Sequence, residues 1–162
     1  MRILAVVFAA ITTAFAIYCW QFETYDFSGT RWRCSETKAG FTSAAYRQYL
    51  SIEEYTTIYF PSNTSVIYYQ SGMLNHKSGL KEPFELVLTA KNEVNGQRIQ
   101  QKFDSVDWNL TPTESPLFTR DKDSLVDFES DLNYFIQDER LFFFNTNESE
   151  EGNIARPTVS GT

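Results

Sequence analysis

The sequence predicts a mostly β chain, built as a small antiparallel barrel or half-barrel behind one N-terminal apolar segment. Three observations carry that expectation. Aromatic residues make up 16% of the 162 residues, and Phe and Tyr dominate them; both favour pleated, half-buried surfaces. Short runs of period-two apolar alternation, separated by turn residues, recur along the chain and amount to about seven or eight strands. One pair, Asn95-Gly96, stands between two such runs as a strong hairpin signal. The length suits one domain with a real core and is too short for two ordinary ones.

Taken in order, residues 1–20 are an address rather than part of the fold. From Ile3 to Trp20 no residue is charged, with Arg2 ahead of the run and Glu23 the first acid behind it. One positive charge at the start orients the chain with its N-terminus in the cytoplasm and its body translocated outward. Ala14-Phe15-Ala16 is an acceptable small-x-small cleavage site for a secretory signal. The run is long enough to reach the lower limit for a membrane span, and Tyr18 and Trp20 stand where interfacial aromatics belong. The reading favours a retained single-pass anchor over cleavage. Cys19 does not make a lipoprotein site, because bulky Tyr18 precedes it.

Residues 21–28 form a polar spacer, and the body of the domain is expected over residues 29–146. Its opening strand is Gly29-Thr30-Arg31-Trp32-Arg33-Cys34, with Trp32 and Cys34 on one side and the two arginines on the other. Lys38 to Ala45 is small and polar and reads as a loop. Tyr55–Phe60 and Val66–Leu74 alternate on either side of Pro61-Ser62-Asn63 and predict a hairpin, with Gly72 marking a bulge. Phe84, Leu86, Leu88 and Ala90, then Asn95-Gly96, then Ile99, Gln101 and Phe103 predict a long hairpin closed by a type I′ turn. Val106, Trp108 and Leu110 continue one position out of step with Phe103, so one extra residue is expected at Asp104 or Ser105. Thr111 to Asp123 holds Pro112 and Pro116 and reads as an irregular connection. Ser124 to Leu132 fits either helical spacing, through Leu125, Phe128 and Leu132, or a strand. Tyr134–Ile136, a tight Gln137-Asp138-Glu139 turn and Arg140–Phe144 make a last hairpin. Beyond residue 146 the Asn-, Glu-, Ser- and Gly-rich tail cannot bury enough apolar area to order itself.

The chemistry legible in the sequence is sparse. A net charge of −7 argues against a phosphate-backbone partner. Cys19 and Cys34 are too few for a zinc site. In an oxidising compartment they are placed for a disulfide worth roughly 3 kcal/mol in chain entropy; the competing reading buries Cys34 and leaves Cys19 at a membrane surface. His76 is the only histidine and lies in a polar turn, where solvation is the ordinary state, so no Ser-His-Asp or Cys-His arrangement is expected. Glu53-Glu54, Asp121-Lys122-Asp123 and Asp127-Glu129-Asp131 read as solvated faces, since none has the spacing of a calcium loop or of a glycosidase pair in a cleft. The Asn-x-Ser/Thr triplets at Asn63, Asn109 and Asn147 are glycan acceptors only in a eukaryotic secreted protein. The chain is therefore read as a non-enzyme with no catalytic residue, metal or cofactor. Its candidate barrel-lining and ligand-binding residues are Ile58, Phe60, Tyr68, Leu86, Leu88, Phe103 and Trp108, with Trp32 structural; most of them are expected as core, and a subset facing an incompletely filled barrel would take an amphipathic molecule.

Gly29-Thr30-Arg31-Trp32 resembles the Gly-x-Trp first-strand motif of lipocalins, offset so that Thr30 stands where the glycine belongs. A longer resemblance covers most of the chain. A single N-terminal anchor, Trp32-Arg33-Cys34, Tyr59-Phe60-Pro61-Ser62-Asn63-Thr64, Trp108-Asn109-Leu110-Thr111-Pro112 and Asp138-Glu139-Arg140-Leu141-Phe142-Phe143 resemble the VtrC/ToxS-like periplasmic co-regulators of ToxR-type membrane-bound transcription regulators. That resemblance implies a lipocalin-like β-barrel, open until a periplasmic domain of a ToxR/VtrA-type regulator completes it as a heterodimer. It also implies an inner-membrane location, bile-salt binding in the barrel, and signalling to virulence and type III secretion genes without direct nucleic-acid contact. The alternative is a secreted, self-contained lipocalin-like carrier of a small apolar ligand.

Overall fold

A computed structural model describes residues 24–43, 45–145 and 159–161. The expected anchor over 1–20, Cys19 and most of the expected tail lie outside these residues. Among the described residues no helix is long and apolar enough to cross a membrane.

The chain is mostly β, one antiparallel sheet of seven strands coiled nearly to closure, with one short helix. The strands are β1 (Arg31–Ala39), β2 (Tyr49–Ser62), β3 (Ser65–His76), β4 (Lys81–Asn95), β5 (Arg98–Leu110), β6 (Glu129–Gln137) and β7 (Arg140–Asn145). The helix α1 (Pro116–Asp123) lies between β5 and β6. Each strand pairs with the next, up and down. A three-residue strand, β8 (Val159–Gly161), pairs with both β7 and β1 and completes the circuit.

Alternation sets the two faces, because successive side chains of a strand point to opposite sides. On β4 the inward set is Glu82, Phe84, Leu86, Leu88, Ala90 and Asn92. On β2 it is Ile52, Glu54, Thr56, Ile58 and Phe60, the more shielded phase of that strand. The extra residue expected on β5 is Asp104: Ser105 pairs with Thr89 and Phe103 with Ala90, leaving Asp104 unopposed and shifting the apolar phase. Gly72 is not a bulge, since β3 stays in register on both sides of it. A Cβ at Gly72 would overlap the Glu53 carbonyl and the Phe84 ring, so the glycine is there for close approach.

Two turns differ from expectation. The β4–β5 loop is Gly96-Gln97, and Gly96 alone of the two has positive φ, the pattern of a type II′ turn. The type I′ pattern falls instead on Asp138 and Glu139, at φ 50 and 58. Thr111–Asp123, read as irregular, contains α1. Ser115 occupies its N-cap position and Pro116 its first turn, a start signal that the short, proline-bounded segment obscured. Ser124–Asp127 is a turn, and β6 starts at Glu129.

The interior holds two apolar clusters. The lower one is built on Phe27, Trp32, Ile58, Phe60, Val66, Ile99, Tyr134 and Leu141. The upper one is built on Tyr49, Ile52, Leu74, Phe84, Leu86, Leu88 and Phe118. Tyr68 and Phe103 pack against both. At the lower end the segment leading into β1 forms a plug: Phe27 is fully buried against Phe60 and Tyr134. Its N–H is held at 2.8 Å by Asn63 Oδ1, and Thr24 Oγ1 accepts from the Gly96 N–H.

Candidate functional site

The two ends of the barrel are closed differently. At the lower end every strand has neighbours on both sides. Toward the upper end β6 leaves β5 after Lys102, and β8 covers β1 only at Trp32 and Arg33. Among the described residues, the β1 edge from Cys34 to Ala39 has no strand beside it. The widening gap between this edge and the far half of β5 is filled by α1 and its flanking turns. Phe118 of α1 packs on Phe84 and Trp108, and Trp108 Nε1 donates to Asp123 Oδ1 at 2.7 Å.

Between α1, the end of β1 and the Gly40–Ser43 loop lies a cleft of about 850 Å³, within the range usual for small-molecule sites. Its apolar walls include Phe41, Ile52 and Phe118, and its polar groups include Tyr46, Glu54 and Lys122. Lys122 Nζ reaches inward to Glu54 Oε2 at 3.3 Å and Gln70 Oε1 at 3.0 Å. Both ends of this ion pair are mostly buried, at 16% and 11% exposure. Burial pushes the Glu54 carboxyl up, but Lys122 and Lys38 outweigh it and hold the group below its ordinary value. Lys122 also lies 5.7 Å from the Phe118 ring centre. Tyr46 donates its hydroxyl to Asp121, and burial together with that carboxylate pushes the phenol up.

Glu54 and Lys122 were expected on solvated faces, and the structure turns both inward. For Glu54 a signal existed: it shares the phase of Ile52, Ile58 and Phe60, so an acid stands in an apolar row. Lys122 had no comparable signal, since its placement depends on α1 lying over the gap.

The seven expected lining residues are brought together as packed core. Ile58, Phe60, Leu86 and Leu88 are at most 4% exposed. Tyr68 donates to Gln101 Oε1 at 2.7 Å, and Gln101 in turn donates to Asn92 Oδ1 at 2.9 Å, forming a polar bridge across the interior. Phe103 packs at a tilt beside Tyr68, and Trp108 packs against Phe118 at the upper rim. None of the seven is on the wall of the 850 Å³ cleft. Trp32 is buried in the lower cluster beside Tyr25. Cys34 has no disulfide partner among the described residues; it packs against that cluster, and burial raises its pKa.

His76, expected in solvent, is buried, and its Nε2 lies 2.8 Å from Glu82 Oε2. Ser115 donates to the same Glu82 oxygen at 2.5 Å and lies 3.2 Å from His76 Nε2, while the Glu114 N–H donates to Glu82 Oε1. This is not a nucleophile relay. Carboxylate and hydroxyl share one imidazole nitrogen, whereas a relay needs them on opposite nitrogens, and Ser115 has no exposed surface. The trio ties the start of α1 to the β3–β4 end of the sheet. Burial works against the Glu82 carboxylate, but donors from Ser115, the Glu114 N–H and His76 hold it below its ordinary value. Among the described residues no group of three His, Cys, Asp or Glu side chains is placed to hold a metal ion.

No protein-family model matches this chain, and no curated protein sequence matches it significantly. The functional reading therefore rests on the barrel and its cleft.

Proposed function

We propose that this chain is a membrane-anchored periplasmic co-regulator with a lipocalin-like barrel, which pairs with a ToxR/VtrA-type transmembrane regulator and takes up a bile salt or similar amphipathic anion. The observation that carries the reading is the open shoulder: a β1 edge unpaired among the described residues, beside an 850 Å³ cleft that joins apolar walls to a largely shielded Lys122–Glu54–Gln70 cluster. An exposed strand edge is a template for a partner's backbone. Two of the three Lys122 donors go to Glu54 and Gln70, and the third is available to a ligand carboxylate. An acidic domain outside the cytoplasm leaves DNA contact to the partner and works on the ligand side of the signal.

The second reading, a self-contained secreted carrier, is favoured by β8, because Val159–Gly161 supplies the chain's own bridge between β7 and β1. Co-purification of the full chain with the membrane regulator, with and without deoxycholate, separates the two. The co-regulator reading expects a one-to-one complex that retains the bile salt. A monomeric chain that binds deoxycholate equally well alone, and captures no regulator, supports the carrier instead.

A further inference from the structure

The β6–β7 hairpin carries an apolar surface that the barrel does not use. Tyr134, Ile136, Leu141 and Phe143 point into the lower cluster. The alternate positions Phe135, Phe142 and Phe144 point outward and form a stacked trio. Phe135 lies 4.6 Å from Phe142 and 5.3 Å from Phe144, ring centre to ring centre, with nearly parallel planes. Phe135 is 37% exposed, and the other two are half-buried. Three phenyl rings in contact on the outside of a sheet form a continuous apolar face rather than scattered surface residues.

Its position says what covers it. The last β5–β6 pair is Arg98 with Asn133, and the Tyr134 N–H bonds Gln97 O in the β4–β5 turn. Phe135 to Gln137 therefore run past that turn, which places the hairpin tip at the plugged end of the barrel. The chain enters at the same end, where Thr24 is held by the Gly96 N–H and Tyr25 N donates to Tyr134 Oη at 3.1 Å. The uncharged run Ile3–Trp20 ends four residues before Thr24, a stretch that spans at most about 14 Å. If that run lies in a bilayer, the phenyl trio stands at its surface.

We infer that the outer face of the β6–β7 hairpin is a membrane-contact surface, with Phe135, Phe142 and Phe144 set into the headgroup and upper acyl region beside the anchor. This rests on the anchored reading above. Phenyl rings partition into that boundary, and the contact is intramolecular in effect, so a weak insertion suffices to fix orientation. The consequence is a defined pose. The lower end of the barrel is held against the bilayer, and the cleft and α1 at the opposite end face the periplasm.

The test uses the full chain with Cys19→Ser and Cys34→Ser, reconstituted in phosphatidylcholine vesicles. A single cysteine introduced by Gln137→Cys at the hairpin tip, or by Lys77→Cys on the β3–β4 turn, carries an environment-sensitive fluorophore. Spin-labelled lipid is expected to quench the residue 137 probe several-fold more than the residue 77 probe, and aqueous iodide to do the reverse. Combining Phe135→Ser, Phe142→Ser and Phe144→Ser brings the residue 137 probe to the residue 77 level with an unchanged thermal transition; Phe142→Ser alone gives the intermediate if the triple variant does not fold. A chain that survives alkaline washing of the vesicles but exposes residue 137 like residue 77 overturns the inference and leaves the anchor standing. Shielding that rises with protein-to-lipid ratio without lipid quenching assigns the face to a second copy or another protein segment, and also overturns it. A chain that washes off the vesicles removes the anchored reading, and the inference with it.

Discussion

At the scale of the residue, the informative positions are those where one side chain contradicts its row. Glu54 is an acid in the inward phase of β2, and its row could be read from the alternation of Ile52, Ile58 and Phe60. Its partner could not, because Lys122 arrives from a helix 68 positions away. The sign of its pH dependence follows from the lowered pKa. The stabilisation is fully present above the ordinary carboxyl value of 4.5 and is lost as pH falls below it through the folded value. Glu54→Gln should therefore flatten the fall in melting temperature between pH 6 and pH 3, and identical profiles would remove the pair from the stability account. Gly72 makes a different demand. Gly72→Ala drives a methyl into the Glu53 carbonyl and the Phe84 ring, and should cost about 1–3 kcal/mol in chemical denaturation.

At the scale of the element, strands were legible and the helix was not. Alternation and turn signals located all seven long strands at least in part, and the phase slip between Phe103 and Val106 located the Asp104 bulge. These signals survive because each comes from neighbours in sequence. Helix α1 spans only eight residues, and Ser115 gives it no side-chain cap. The Ser115 hydroxyl goes to Glu82 instead, a tertiary contact that local pattern cannot reveal. Ser115→Ala should then cost about 1–3 kcal/mol locally by removing a donor from a buried carboxylate. Hydrogen exchange should speed up over residues 116–123 while β4 and β5 stay protected; uniform acceleration would mean that α1 is not a separable unit. The β6–β7 turn points the other way. Asp138 and Glu139 both hold positive φ without a glycine, so Glu139→Gly should stabilise the protein by about 0.5–1 kcal/mol, read as a raised denaturation midpoint.

At the scale of the whole molecule, the barrel is asymmetric along its length. A plug of Phe27, Asn63 and Tyr134 closes one end, while the other splays between β1 and β5 and is roofed by a helix. The residues expected to line the barrel, most of them as core, pack together and fill the interior. The remaining room lies at the shoulder, where α1 brings a buried cation against apolar walls. Sequence could not show this, because the gap exists only once β6 and β7 have turned away from β5. The most direct measurement is deoxycholate binding to the full chain together with the proposed membrane regulator, below the micelle concentration, compared between wild type and Lys122→Met. The account predicts at least a tenfold loss of affinity, measured at a temperature where both proteins are folded, together with a lowered melting temperature because Glu54 loses the partner that shields its charge. Equal affinity in the two would place the ligand somewhere other than the cleft and contradict the proposed site.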